Sequence, residues 1–490
     1  MIRRCARLLA LLFCLPLVPV QAEEPLRPVA GGLRLSFEDL RLPGGEWLGL
    51  VGLTRFLSRE NGVYVGLGTY GAVTGRRGGF FTGGFEGGWQ YRWRSLEAGA
   101  GLFVGGGGGG SAPQGGGLMI RPQMGMTWAT AGGRLGVQAS WVQFPNGGID
   151  SRQLALAWSR DWPLWVQPGW GEGPKWRGRS HAQWFGVQST HYFPRPGSGL
   201  GGDLPGRMDL VGVRWRPHWR GRWYGDFETA GAWGGGVDGF AQVLAGIQGW
   251  WPVSPRWQLG AGVMLGAAGG GRVHTGGGVV ARGWGGVMWH YPDEWGWSLE
   301  GGYTTARDGR FAGASLALGL SHRWRALRPE VNGRAQARWH RWRVRPAWQR
   351  YLDMGAGDRK FSRLDGVPVD LVGLKIDRFL GGGAYLSGQA WGAFDGGAGG
   401  YAVGFLGLGW SHLSGRWHPW GEVNLGAAGG GGIAVGPGIL AQPMLGVARV
   451  LAGDGVLSLA AGRAWALQGT FAAWVLELSA EYRFTTPGAS

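Results

Sequence analysis

Cysteine is almost absent from this sequence of 490 residues, with Cys5 and Cys14 the only two. Both fall in a stretch where three arginines precede an apolar run, residues 8–18, and small residues follow at 20–22. This pattern predicts a secretory signal peptide over residues 1–22, and the run is too short for a transmembrane helix. A buried N-terminal helix is the alternative. The mature chain would then contain no thiol, which excludes a disulfide framework and a cysteine metal site.

Lysine is scarce as well, because Lys175, Lys360 and Lys375 are the only lysines among 48 basic residues. The net charge of +17 would fall to about +14 (17 − 3) when the three arginines of the signal peptide leave. Strong basicity often indicates nucleic acid. An exported chain has nearer partners, namely lipopolysaccharide phosphates outside a membrane and anionic solutes or polymers inside a pore. We therefore expect no nucleic-acid partner.

Long apolar runs are also missing after residue 22, which excludes a transmembrane helix there. The sequence instead has 32 Trp, 11 Tyr and 19 Phe beside 104 Gly. Soluble globular domains rarely contain so many tryptophans, whereas two aromatic girdles at the faces of a bilayer would use them.

The stretch near the C-terminus has a regular alternation of apolar and polar residues. Its apolar residues share one face of a strand, with an aromatic ring at each end, and only Val475 interrupts the polar face. The stretch resembles the closing strand of a Gram-negative outer-membrane β-barrel, although residues 485–490 follow it. That resemblance implies assembly by the barrel assembly machinery and contact with outer-membrane lipids. The apolar face consists of Trp474, Leu476, Leu478, Ala480, Tyr482 and Phe484.

Three landmarks recur along the chain, which indicates an internal repeat. The segment at residues 50–53 returns at 209–213 and 370–374, with its valine offset by 160 and then 161 positions. The glycine-rich segment 265–271 returns at 425–431. A third motif keeps this spacing, at residues 153–162, 315–324 and 475–484.

Each copy divides into about eight strand-like runs, whose length of about ten to fourteen residues suits tilted strands across a bilayer. We predict an all-β fold, a transmembrane antiparallel β-barrel of about 24 strands (22–26) built from three repeats of ~160 residues. The predicted organisation is a signal peptide at 1–22, one barrel over 23–484 with repeats at 30–180, 181–335 and 336–484, and a tail at 485–490.

The strands could close as one ring or as three. A single ring would be about 48 Å wide and would need some other body in its lumen. Eight-stranded barrels fill their interiors with side chains, and a wall lined by glycine would do that badly. One wall of this kind has Gly84 and Gly88 beside Glu86. Such glycines either relieve crowding where a sheet curves or offer a smooth surface to another body. These considerations favour one large barrel.

Charged residues alternate with apolar ones in two further strands. Arginine on the lipid side would cost about 2–4 kcal/mol at the membrane midplane, so these side chains should face the lumen or the headgroups. The basic candidates are Arg214, Arg216, Arg341, Arg343 and Arg345.

No catalytic or cofactor-binding motif is evident. The nine histidines lack metal-ligand spacing, and neighbours such as Ser321 and His322 point to opposite faces of a strand. Ser189 and His191 share a face, but no acidic residue lies near them in sequence. We expect neither a cofactor nor a metal, and no enzymatic activity.

The favoured hypothesis is a conduit or housing for a secreted polymer or a partner protein, with basic walls that favour anionic cargo. The alternative is a structural or anchoring component of a multiprotein envelope machine. A lipid-modifying enzyme of the outer membrane is the third possibility.

Overall fold

The computed structural model describes residues 28–170, 177–291, 294–329, 335–355, 357–451 and 455–489. The predicted signal peptide, residues 1–22, lies outside them. Antiparallel strands form nearly all of the regular structure, with two short 3-10 turns, so the predicted all-β antiparallel fold is confirmed. No helix in these ranges is long and apolar enough to cross a membrane.

The first barrel is a closed ring of eight strands. Its last strand returns to its first, and seven residue pairs from Gly32↔Asp161 to Glu38↔Ala155 join the two. The strands are β1 (Gly31–Arg41), β2 (Trp47–Ser58), β3 (Val63–Thr74), β4 (Phe81–Trp93), β5 (Leu96–Gly108), β6 (Met119–Thr130), β7 (Gly133–Gln143) and β8 (Asp150–Asp161).

The second barrel follows a short connecting strand, β9 (Gln167–Pro168). Its first and last strands pair without interruption from Gly178↔Pro329 to Pro194↔Gly313, which closes a second ring of eight. The strands are β10 (Arg177–Pro194), β11 (Met208–Arg220), β12 (Trp223–Gly234), β13 (Ala241–Pro252), β14 (Trp257–Gly269), β15 (Val279–Tyr291), β16 (Trp295–Ala306) and β17 (Ala312–Pro329).

The third barrel closes in the same way, because its first strand pairs with its last from Ala337↔Ala489 to Leu352↔Trp474. The strands are β18 (Ala335–Leu352), β19 (Val369–Gly381), β20 (Ala384–Asp395), β21 (Ala402–Ser411), β22 (Trp417–Gly429), β23 (Ile439–Val450), β24 (Val456–Ala466) and β25 (Ala472–Ala489). Residues 485–489, predicted to be a tail, therefore continue the closing strand.

The prediction of one ring of about 24 strands is wrong, since the pairings close three rings of eight. The reason lies in the glycines of the walls. A Cβ atom at Gly101 would lie 2.2 Å from the hydroxyl of Tyr64, and one at Gly262 would lie 2.7 Å from the ring of Trp284. Glycine therefore makes room for large interior side chains, and a wall rich in glycine suits a small, filled barrel.

The two ends of the barrels differ. At one end, here called the turn rim, tight turns such as 94–95 and 221–222 join the strands. At the other end, the loop rim, the connections are longer and include 195–207 and 353–368. By the usual pattern of outer-membrane barrels, the turn rim faces the periplasm.

The three barrels contact one another at both rims. Glycine-rich loops meet backbone to backbone at the loop rim, where the amide of Gly78 donates to the carbonyl of Gly276 at 2.9 Å. At the turn rim, Arg177 and Gly178 of β10 pair with β18, which joins the second barrel to the third. The connecting strand β9 pairs with β25, so the chain leaving the first barrel touches the third.

Candidate functional site: the charged interiors of the three barrels

The interior of the first barrel contains two buried ion pairs. Arg121 Nε donates to Glu38 Oε1 at 2.8 Å, and neither side chain is exposed. Nearer the turn rim, Arg34 Nη1 donates to Glu86 Oε1 at 2.6 Å. Tyr64 also donates its hydroxyl to Glu86 at 2.8 Å. Each carboxylate therefore has several donors, as a buried charge requires.

The second barrel is more highly charged. Arg214 lies between Asp226 and Glu300, with a nitrogen–oxygen distance of 2.5 Å to each. Glu300 also accepts from Arg216 at 3.0 Å. A separate pair joins Arg282 to Glu228 at 3.0 Å. All these residues are buried, and Arg214 and Glu300 each have two partners of opposite sign.

The third barrel has the largest network of the three. Glu422 accepts from Lys375 at 2.5 Å and from Arg345 at 2.8 Å. Lys375 also contacts Glu477 at 3.0 Å. The remaining pairs are Arg343–Asp377, Arg345–Asp377, Arg343–Glu481 and Arg483–Glu481.

Opposite charges in these networks are equal in number within each barrel. The first barrel pairs two arginines with two glutamates, and the second pairs three arginines with three carboxylates. In the third, four cations face four carboxylates. These buried networks are therefore neutral, and they do not form the basic walls that were expected to favour anionic cargo.

An apolar cluster fills each barrel nearer the loop rim. Each cluster contains a pair of aromatic rings that come from different segments of the same barrel. The ring centroids are 5.8 Å apart for Phe80 and Phe144, 5.9 Å for Tyr192 and Phe311, and 5.6 Å for Tyr351 and Phe471. The conduit or housing hypothesis is therefore wrong, because side chains fill the space that a polymer or a partner protein would need.

A small cavity remains in the first barrel on the turn-rim side of the Arg34–Glu86 pair. Its volume is ≈ 30 Å³, which is room for about one water molecule. Three buried polar atoms that line it have no hydrogen-bond partner, namely Gln90 Oε1, Thr127 Oγ1 and Gln138 Oε1. Buried polar atoms without a protein partner are usually satisfied by solvent, so this half of the barrel suits a small polar guest.

The structure places four of the five basic candidates inside barrels. Arg214 and Arg216 lie in the second barrel, and Arg343 and Arg345 lie in the third. Arg341 is exposed and lies on the part of β18 that extends toward the turn rim. Sequence reasoning missed their carboxylate partners. The signal was available for Asp226, the partner of Arg214, which alternates with apolar residues in its strand as the arginines do.

The closing strand has one outward and one inward face. Trp474 and Leu476 are exposed on the outer wall, and Leu478, Tyr482 and Phe484 are partly exposed there. Glu477, Ser479 and Glu481 are buried inside. Val475 is also inside, in the apolar cluster of the third barrel, which explains why it breaks the polar alternation.

The serine and histidine side chains considered in the sequence have other partners than each other. His191 Nδ1 lies 2.6 Å from Asp209 Oδ1, so an acidic partner does exist, although 18 residues separate the two in sequence. No hydrogen bond joins Ser189 to His191 in the described part of the chain. Ser321 donates instead to the carbonyl of Gly296. Among the described residues, no group of three or more potential ligands could hold a metal ion.

The outer walls are apolar at mid-height and aromatic at both rims. Leu154 and Leu445 are each 74 % exposed. Exposed tryptophans form a girdle at the turn rim: Trp93, Trp128, Trp223, Trp257, Trp295, Trp410 and Trp417. Fewer aromatic residues, including Trp47 and Trp474, are exposed near the loop rim. Apolar walls around polar interiors, with a girdle at each end, are the design of bilayer-spanning barrels. The chain is a Gram-negative outer-membrane β-barrel protein.

Comparisons with known proteins add no family. No family model matches the chain, and no curated protein matches it either. Three similar solved structures are those of OpdQ and the outer membrane protein OpdK of Pseudomonas aeruginosa and OccAB4 of Acinetobacter baumannii. Their sequence identities are 10%, 11% and 6%, and their TM-scores are 0.19, 0.20 and 0.23. The matches cover 94%, 94% and 95% of this chain and 98%, 100% and 99% of those chains.

Proposed function

We propose that the protein is a gated pathway for small solutes, of the size of water or a small ion, and that the first barrel is the pathway. The observation that carries this proposal is the polar cavity of that barrel, which ends at the Arg34–Glu86 pair. Two barriers separate this cavity from the loop rim. The Glu38–Arg121 pair is the first, and the apolar cluster around Phe80 and Phe144 is the second.

The alternative hydrogen-bond partners around Glu38 and Arg121 support an opening of the charged barrier. Glu38 accepts from Arg121, from Ser140 and from Gln153, and Gln123 lies between Arg121 and Glu86. A shift of Arg121 along this row would leave neither carboxylate without a donor. Since a buried charge is costly only when it is unpaired, such a shift can be small in energy. The apolar barrier would open by rotation of its aromatic rings and wetting of the gap.

The other two barrels are proposed to be non-conducting relatives of the first. Strands β5, β14 and β22 are each 13 residues long and begin at Leu96, Trp257 and Trp417, offsets of 161 and 160. The glycine-rich ends of these strands also correspond. We infer that three copies of one eight-stranded unit produced the chain, with boundaries near those of the three sequence repeats.

The test is the conductance of the full chain in planar lipid bilayers. The double variant Glu38→Ala/Arg121→Ala removes one barrier without leaving an unpaired charge. We expect its single-channel conductance to rise several-fold over that of the parent protein. The matched control is Glu46→Ala/Arg77→Ala, which removes an ion pair at the loop rim that is partly exposed and lies outside the lumen.

Folding is checked by the shift in electrophoretic mobility on heating, which reports an intact barrel. If the first variant does not fold, Glu38→Gln/Arg121→Gln serves in its place, because it removes the same ion pair and keeps more of the side-chain volume. Conductance equal to that of the control in a folded variant would overturn the proposal.

A further inference from the structure

A cationic site lies on the outer wall where the second barrel meets the third. The guanidinium carbon of Arg378 is 3.9 Å from the ring centroid of Trp324 in the second barrel. It is 5.9 Å from that of Trp342 in the third barrel. The two tryptophan rings meet edge to face, with centroids 5.7 Å apart. Arg378 is thus held between two aromatic rings from different barrels.

Among the described residues, no carboxylate forms an ion pair with Arg378 or with Arg338. Arg378 Nη2 lies 3.4 Å from His340 Nδ1. The Nε atom of Arg378 is buried without a hydrogen-bond partner. Arg338 is exposed on the same outward face of β18 as Trp342. The ion-pair networks inside the barrels contain equal numbers of opposite charges, whereas this outer-wall site forms no ion pair with a described carboxylate.

Apolar side chains line both walls next to the site, on the side toward the membrane midplane. Ile376 precedes Arg378 by two residues, on the same face of β19, and is 41 % exposed. In the second barrel, Phe185 stacks on Trp324 with centroids 6.1 Å apart and is 40 % exposed. The site is therefore cationic at the level of the girdle and apolar above it.

We propose that this crevice binds the phosphate group of a membrane phospholipid at the periplasmic face of the bilayer. The fork of Arg378 and the side chain of Arg338 would contact the phosphate oxygens, because a guanidinium matches phosphate geometry and gains strength when partly desolvated. The acyl chains would lie along Ile376 and Phe185. This binding is independent of a pathway in the first barrel.

The test is native mass spectrometry of the full chain in detergent with phosphatidylglycerol added. We expect one phosphatidylglycerol to remain bound and Arg378→Gln to weaken its affinity about tenfold. Two further ligands separate headgroup from tail, since dioleoylglycerol has the acyl chains without the phosphate and inorganic phosphate has no chains. The proposal requires weaker binding of both.

Arg222→Gln is the matched control, because Arg222 is an exposed arginine in a turn of the second barrel at the same rim. It should leave the affinity for phosphatidylglycerol unchanged. If Arg378→Gln does not fold, Arg338→Gln replaces it. An equal loss of affinity in the Arg222→Gln control would show non-specific electrostatic attraction. If dioleoylglycerol binds as tightly as phosphatidylglycerol, the site does not recognise phosphate. If inorganic phosphate binds equally well, the site is one for a free anion. Any of these results overturns the lipid site.

Discussion

Gly79 of the first barrel and Gly270 of the second lie backbone to backbone. A Cβ atom on Gly79 would be 2.3 Å from the amide nitrogen of Gly270. The same relationship joins Gly239 to Gly430 and Gly400 to Gly109, at 2.8 and 3.0 Å. These contacts run from the first barrel to the second, from the second to the third, and from the third back to the first. The three barrels are thus arranged in a closed ring. Glycine has no side chain, so the loop backbones of neighbouring barrels can approach closely.

Substitution of a glycine at these contacts should loosen that ring, and Gly429 is a further glycine that contacts Gly239. Gly429→Ala tests this at a position without a positive φ, where a Cβ would lie 2.1 Å from the nitrogen of Gly239. Because the obstacle is backbone, we expect a loss of about 1–3 kcal/mol from strain. We expect the connection between the second and third barrels to be cleaved faster than in the parent protein, as measured by limited proteolysis in detergent.

Gly283→Ala is the control for that experiment, since a Cβ there would meet nothing within 4 Å. It should behave like the parent protein. If Gly429→Ala and Gly283→Ala are digested at the same rate, the glycine contacts do not hold the barrels together.

The neutral buried networks predict strong coupling between ion-pair partners. Arg282→Met leaves Glu228 buried without its arginine, which should cost about 3–5 kcal/mol of unfolding free energy. Glu228→Gln added to Arg282→Met removes the stranded charge and should recover much of that loss. Urea titration in lipid vesicles, followed by tryptophan fluorescence, measures both. Additive losses would mean that the two side chains are not energetically paired.

Much of the wall could be predicted from the sequence, because alternation records which side chains face lipid. The strand with Trp474 and Glu477 is an example, because Trp474 faces outward and Glu477 inward. The number of rings could not be predicted, since closure depends on which strand meets β1, β10 or β18 across a long sequence separation. The role of the wall glycines was predicted wrongly, because it depends on the size of the interior side chain beside each glycine, such as Tyr64 beside Gly101.

The interior charges show a second limit of sequence reasoning. Arg214 was predicted to face a lumen or the headgroups, but its partner Glu300 is 86 residues away. Distant pairs of this kind have no local signature, and the networks differ among the three barrels. The three networks share only the equal number of opposite charges. A charge buried in a small lumen needs a partner of opposite sign.

The fit between Gly101 and Tyr64 gives a further prediction. Gly101→Ala would place a Cβ 2.2 Å from the tyrosine hydroxyl, so we expect a loss of about 1–3 kcal/mol from overpacking. Tyr64→Phe removes the obstructing atom, along with its hydrogen bond to Glu86. The double variant should therefore be less unstable than the sum of the two single variants, as measured by thermal unfolding in detergent. If the losses of stability of the two single variants simply add in the double variant, the strands have adjusted to the added Cβ atom and the two residues do not interact.

The last prediction concerns the outer wall, and it compares one substitution at two exposed leucines. Leu445 is 74 % exposed in the middle of β23, and Leu467 is 50 % exposed in the loop after β24. Leu445→Arg should cost about 2–4 kcal/mol in a bilayer, because the charge would enter hydrocarbon. Leu467→Arg should cost less than about 1 kcal/mol at the rim. Urea titration in vesicles measures both, and equal costs would mean that β23 does not face lipid.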